Sequence, residues 1–279
     1  MKRLWFSLII LVLVIAVVVV KQQQKTNKPV ALMPVPASAS PSASLVPSPS
    51  PSPSPLSFSQ MNQLYGPCAA VPTLMYHHIT NKTANIKVTP EWLRQQLTYL
   101  RDHGYTVISM AELNGFFDQG QGLPKKAVLL TFDDAYEDFS SEALPILKEF
   151  GDKATVFVPT GLVNNPDYLS WDQIREANAS GLVLFANHTW SHHNLGSNTD
   201  TTEKEISLAD TQLAEHGLNS PKVLAYPYGF AGSGAVKILG EKGYGLAFTT
   251  NPGSILCKKM RLNLPRVRIG NASLSAYGF

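Results

Sequence analysis

Apolar and polar positions follow one rule through most of this chain and another at its start. From residue 66 onward, apolar runs recur at residues 73–76, 106–108, 127–131, 154–158, 182–185, 223–226 and 246–249, with the length and β-branched content of buried strands. Segments of helical spacing follow most of them. Thr89-Pro90-Glu91 opens one, with Thr89 as cap, proline in the first turn, and Trp92, Leu93, Leu97 and Leu100 on one face. Ser170-Trp171-Asp172-Gln173 fits a capping box. Residues 202–215 set Ile206, Leu208 and Leu213 among charges, the pattern of a half-exposed helix. Strand then helix, repeated over roughly 200 residues, predicts a parallel α/β architecture, either an open sheet or a barrel. Such folds gather chemistry at the C-terminal ends of their strands.

The first 65 residues read differently. After Met1-Lys2-Arg3, residues 4–20 are apolar except for Ser7. At about 1.5 Å per residue this run spans roughly 25 Å, near the thickness of a bilayer core. No small-residue cleavage site follows, because Val17 to Val20 lead directly into Lys21. Residues 1–22 are therefore expected to be a signal anchor in preference to a cleaved signal peptide. Residues 23–65 are rich in Pro, Ser and Ala, with a strict Ser-Pro alternation from Ser48 to Pro55. Proline fixes φ and removes a backbone donor, so this stretch is expected to be a disordered linker. The expected location is the outer face of a bacterial membrane or the cell wall, or the medium if the signal is cut.

Charge sharpens this picture once the chain is divided. The formal net charge is +3, but the five lysines and arginines before residue 58 face no Asp or Glu, which leaves the remainder near −2. Phosphate binding needs a clustered cationic face, so nucleic acid is not an expected partner. Cys68 and Cys257 lie near opposite ends of the domain and could form one disulfide; two free buried thiols are the alternative. One of four glycosylation sequons, Asn187-His188-Thr189, overlaps the chemistry described next, so the sequons are expected to be unused.

Three polar clusters fall just past predicted strands: Asp133-Asp134, His188-Thr189-Trp190-Ser191-His192, and Tyr226-Pro227-Tyr228-Gly229. Catalytic zinc takes three imidazole or carboxylate ligands and keeps one position open, and Asp134, His188 and His192 can supply that set. Co or Ni would accept the same donors. Asp133 would then lie beside the metal but off it, free to take a proton from water. Thr189 follows His188 where a zinc peptidase helix would carry Glu, which argues against that class.

Thr131-Phe132-Asp133-Asp134-Ala135, the His188–His192 cluster and the Tyr226–Gly229 cluster resemble, in order, the first three motifs of the polysaccharide deacetylases, the NodB-homology family. The resemblance runs over roughly residues 71–270. Tyr76-His77-His78-Ile79, Phe248-Thr249-Thr250-Asn251-Pro252-Gly253 and Leu264-Pro265-Arg266-Val267 resemble a narrower branch, the deacetylases of biofilm poly-N-acetylglucosamine. It implies a distorted (β/α) barrel that removes N-acetyl groups from the N-acetylglucosamine units of an extracellular polysaccharide and releases acetate. A β-1,6-linked polymer is favoured, peptidoglycan or chito-oligosaccharide is the alternative, and a wall-tethered glycan-binding module is a third reading. The resemblance also implies that Asp134, His188 and His192 hold the metal, zinc first, that Asp133 is the base, and that the backbone N–H of Tyr228 faces the oxyanion.

Two family features are missing. Ala225 stands where the third motif usually carries Arg, and no C-terminal Leu-x-His follows, since the last histidine is His216. His77, ahead of His78, is expected to be the general acid. Arg266, ahead of Arg268, is a candidate for the missing arginine and also a candidate substrate contact. Trp190 and Tyr226 are further candidate substrate contacts, with Tyr168 and Trp171 behind them. A monomer is expected.

Overall fold

The computed structural model describes residues 56–196 and 199–279. The anchor expected at residues 1–22 and nearly all of the expected linker lie outside the described residues. Within them, no helix is long and apolar enough to cross a membrane. The last part of the 23–65 stretch is not extended: Phe58–Tyr65 form helix α1, opened by a capping box between Ser57 and Gln60.

Twelve strands follow: β1 (Cys68–Ala70), β2 (Thr73–Tyr76), β3 (His78–Ile79), β4 (Lys87–Val88), β5 (Thr106–Val107), β6 (Ala127–Phe132), β7 (Ala154–Val158), β8 (Val183–Asn187), β9 (Val223–Ala225), β10 (Leu246–Pro252), β11 (Ile255–Cys257) and β12 (Leu264–Arg268). The helices are α2 (Pro90–Asp102), α3 (Met110–Gln119), α4 (Leu144–Phe150), α5 (Trp171–Ala179), α6 (Thr199–Glu215) and α7 (Ser233–Glu241). The expected caps are present, with Thr89 accepting from the Trp92 N–H and Ser170 paired reciprocally with Gln173.

Seven strands pair in parallel in the order β2, β12, β10, β9, β8, β7, β6, and β6 returns to β2, which closes a barrel. The count matches expectation but the membership does not. β5 pairs only with the start of β6, outside the ring, and the seventh place is taken by β12. Leu-Pro-Arg-Val-Arg conceals a strand, because proline removes a ladder donor and two arginines break the apolar run.

Alternation along the strands sorts the core into layers. Leu129, Phe157, Ala186, Ala225, Phe248 and Leu264 belong to the cluster that fills the barrel. Their neighbours Val128, Leu130, Val156 and Phe185 pack with Leu93 and Leu97 of α2 and Ile174 of α5. Both faces of β6 and β7 are thus buried, which is why these strands read as unbroken apolar runs. Outside the ring, β1 and β11 form an antiparallel pair with Cys68 opposite Cys257, joined by a disulfide.

Candidate metal and proton-transfer site

The ends of β6, β8, β9 and β12 meet above the filled interior, and three loops there carry the chemistry. Their backbones are unusual. Asp134, Ala135, Thr189, His192 and Tyr228 all have φ between 54° and 73°, a left-handed conformation that costs non-glycine residues energy and tends to collect at functional sites. The costly turns re-aim side chains that a continuing strand would have sent elsewhere.

Asp134, His188 and His192 offer one ligand atom each, all within 4.8 Å of one another. Asp134 Oδ1 lies 3.4 Å from His188 Nε2 and 3.2 Å from His192 Nε2, yet it is buried with no hydrogen-bond partner among the described residues. The His188 imidazole donates its Nδ1–H to the Ala225 carbonyl at 2.7 Å, which turns Nε2 toward the carboxylate. An orphaned anionic oxygen facing imidazole nitrogens is a donor set that suits a divalent cation. Burial opposes the Asp134 charge, but the two imidazoles hold its carboxyl far below the ordinary carboxylate range.

Asp133 points the other way, into the protein. Its two oxygens accept from Arg266 Nη1 and Nη2, each at 2.7 Å. Arg266 also donates Nε–H to the Thr249 carbonyl at 2.9 Å and reaches Thr131 Oγ1 at 3.2 Å, and Thr131 in turn donates to the Leu74 carbonyl. Burial alone would raise the Asp133 pKa, but the guanidinium, through its charge and two hydrogen bonds, holds it below the usual value. Arg266 is only 1 % exposed, and β12, two places round the ring from β6, brings its guanidinium to Asp133, while Ala225 adds no bulk to the interior. Arg266 is thus buried against Asp133 and, contrary to expectation, is not exposed as a substrate contact.

His77 follows β2, with Nε2 3.9 Å from Asp133 Oδ2 and Nδ1 buried without a partner among the described residues. Burial lowers its pKa, opposed by Asp133 and Asp134 and reinforced by the two nearby arginines. His78 is turned away, donating to Asp138 at 2.7 Å and stacked on Tyr136. Tyr228 is 68 % exposed, and its ring meets His192 edge to face. Trp190 is also exposed. Tyr226 is fully buried, with its hydroxyl donating to the Leu262 carbonyl, so it forms part of the wall and faces no substrate. Trp171 is part of the outer core and stacks on His216.

Two neighbours of the site, Tyr136 and Glu205, escaped sequence reasoning. Tyr136 stands with Tyr168, already a candidate, at a cleft of about 390 Å³, and burial together with the nearby Asp134 charge raises both phenols. Tyr136 could have been noticed as the second residue after Asp134. Glu205, on α6, holds the loop between the histidines, and nothing in a charged, half-exposed helix marks it out.

A closed parallel barrel with two carboxylates and two imidazoles on its strand-end rim defines a class of hydrolase-like sites. Residues 120–247 match the polysaccharide deacetylase family. The Streptococcus pyogenes deacetylase PplD, solved in complex with acetate, is 34 % identical, covering 71 % of this chain and 92 % of that one with a TM-score of 0.66. IcaB from Ammonifex degensii is 27 % identical over 72 % of this chain and 91 % of that one, also with a TM-score of 0.66. The poly-β-1,6-N-acetyl-D-glucosamine N-deacetylase of Escherichia coli (strain K12) is 30 % identical over 245 residues, which cover 71 % of this chain and 36 % of that protein. The chain therefore spans about a third of that longer relative. It belongs to the polysaccharide deacetylase family, and its barrel is the NodB-type domain.

Proposed function

We propose that this protein is a metal-dependent N-deacetylase of N-acetylglucosamine polysaccharide, with a β-1,6-linked polymer as favoured substrate. The observation that carries the reading is one carboxylate locked by a buried arginine beside a second whose Oδ1 lies without a hydrogen-bond partner between two imidazoles. The E. coli relative, a poly-β-1,6-N-acetyl-D-glucosamine N-deacetylase, supports the linkage.

In this reading Asp134, His188 and His192 hold the cation, zinc first and Co or Ni as alternatives. Bound there, a divalent ion supplies Lewis acidity toward the amide carbonyl and toward water. Asp133, kept ionised by Arg266, accepts the proton of the water that attacks the acetamide carbon. The Tyr228 backbone N–H faces the oxygen that gains charge. As the C–N bond breaks, His77 gives its proton to the departing sugar amine, and its lowered pKa makes the imidazolium a readier donor. Acetate and a free amine on the polymer are the products. Trp190 is placed to pack against a sugar ring. The apolar segment at residues 4–20 supports a position outside the cell membrane, with the barrel carried on the Pro-Ser stretch.

The deciding experiment is acetate release from β-1,6-linked N-acetylglucosamine oligomers, β-1,4-linked oligomers and peptidoglycan, with and without added zinc. Zinc-dependent release is expected, fastest on the β-1,6 substrate. Release from peptidoglycan alone would move the assignment to the wall, and release from none would leave a glycan-binding module.

A further inference from the structure

The strand β8 ends at Asn187, and the loop of residues 188–192 that follows has no regular structure, yet its backbone is tied on both sides. The Thr189 N–H donates to Asn187 Oδ1 at 2.7 Å. The carbonyls of Thr189 and Trp190 accept from the N–H groups of Thr160 and Gly161, at 3.2 and 2.7 Å. The His188 N–H donates to the Val158 carbonyl at 3.1 Å, and three further ties converge on one side chain. Glu205 Oε2 accepts from the N–H groups of Trp190 and Ser191 at 3.1 and 2.8 Å, and Oε1 accepts from the Ser191 hydroxyl at 2.8 Å.

Glu205 is 7 % exposed, and no Lys or Arg pairs with it among the described residues. Backbone donors and a hydroxyl do the balancing that a cation would otherwise do. A carboxylate is costly to bury, and this one is placed only where it grips the loop. The loop needs gripping, since Thr189 and His192 are both left-handed, at φ 68° and 60°. His188 has a backbone anchor in the Ala225 carbonyl, whereas His192 has none among the described residues: its Nε2 lies 3.2 Å from Asp134 Oδ1, and its ring meets those of His188 and Tyr228 edge to face. The helix α6 that carries Glu205 is itself fastened to the end of β8, because Asn187 Nδ2 donates to the Ile206 carbonyl and to Asp210, each at 3.2 Å.

We propose that Glu205 is a positioning residue for His192. It braces the loop from α6, so that the second imidazole is already aimed at Asp134 before a cation arrives. The proposal rests on the metal-site reading above. It predicts that weakening this brace weakens cation binding out of proportion to any loss of fold.

The test is zinc titration of the chelator-stripped full chain against a chromogenic competitor, with melting temperature recorded in parallel. Glu205→Ala should bind zinc about 30-fold more weakly, within the 10–100-fold range typical of outer partners of metal ligands. Glu205→Asp, which retracts the carboxylate by one methylene, should lose about 10-fold. Glu205→Gln keeps an acceptor for the two N–H groups and should recover to within about 5-fold of the parent. Leu213→Ala, a core truncation on the same helix, should lower the melting temperature but leave zinc affinity unchanged below it. If Glu205→Ala does not fold, Glu205→Asp decides. Parental zinc affinity in Glu205→Asp, or an affinity loss in Leu213→Ala equal to that in the Glu205 variants, overturns the proposal. Failure of the parent chain to bind zinc, or binding that survives Asp134→Ala, instead overturns the metal reading itself.

Discussion

Asp133 and His77 face each other across 3.9 Å and are held in opposite ways. Asp133 is gripped by both arms of Arg266, which Thr249 and Thr131 fix in turn. His77 has a buried Nδ1 that no described residue reaches. The contrast matches the proposed jobs. A proton acceptor must stay ionised and fixed, which needs a buried cation. A donor must take up a proton and pass it on, which is easier for a ring not committed to one partner.

Replacing the acceptor should have the largest effect. Asp133→Asn is expected to reduce acetate release by about 10³-fold or more while zinc titration stays parental, as loss of a general base should. Retained turnover would refute its role. Next comes the grip on the acceptor. Arg266→Met strands a buried carboxylate and should cost about 3–5 kcal/mol in denaturant unfolding, together with roughly 100-fold in rate. Its pH signature follows from the sign of the shift. The folded Asp133 carboxyl lies below its ordinary 3.8, so the stability of the pair is present above 3.8 and is lost only as pH falls through the lower folded value. Without Arg266, burial raises that carboxyl, and the acid limb of melting temperature against pH should move upward.

The donor should be the more tolerant end. His77→Ala is expected to slow acetate release by about 10–100-fold without destabilising the fold, and an unchanged rate would mean that another group protonates the amine. The smallest change is Thr131→Val, which removes one prop from Arg266 and leaves the Leu74 carbonyl without its hydroxyl donor. A loss of about 1–2 kcal/mol and only a few-fold in rate is expected. A Thr131→Val effect as large as that of Arg266→Met would show that the grip is one cooperative network.

The unequal legibility of the two ends has a physical cause. Asp133, Asp134, His188 and His192 stand just past strands whose apolar runs are unmistakable, so their place on a common rim could be read from the sequence. The strand carrying Arg266 could not, because a proline and two arginines erase its apolar pattern. The 106–108 run took its place in the expected ring for the opposite reason: its short apolar run looks like a barrel strand, yet it pairs only at the edge of β6. Tyr226 sits in a motif that reads as exposed, but its hydroxyl finds a carbonyl inside the wall. Glu205 has no linear signature, since its function lies in which backbone groups it meets after folding.

The bridge between Cys68 and Cys257, 189 residues apart, makes the polypeptide a covalent ring with two tails. His77, Asp133, Asp134, His188 and His192 lie on the ring, whereas Arg266 lies on the C-terminal tail. A protease nick anywhere inside the ring leaves every fragment tethered, with His77, Asp133, Asp134, His188 and His192 still on one molecule. A nick at residues 258–263 severs Arg266 from the covalent ring that carries Asp133 and leaves strand pairing alone to keep it there. Limited proteolysis under oxidising conditions should therefore divide the cut sites into those that leave all the fragments covalently joined and one short segment whose cutting frees Arg266 from the ring.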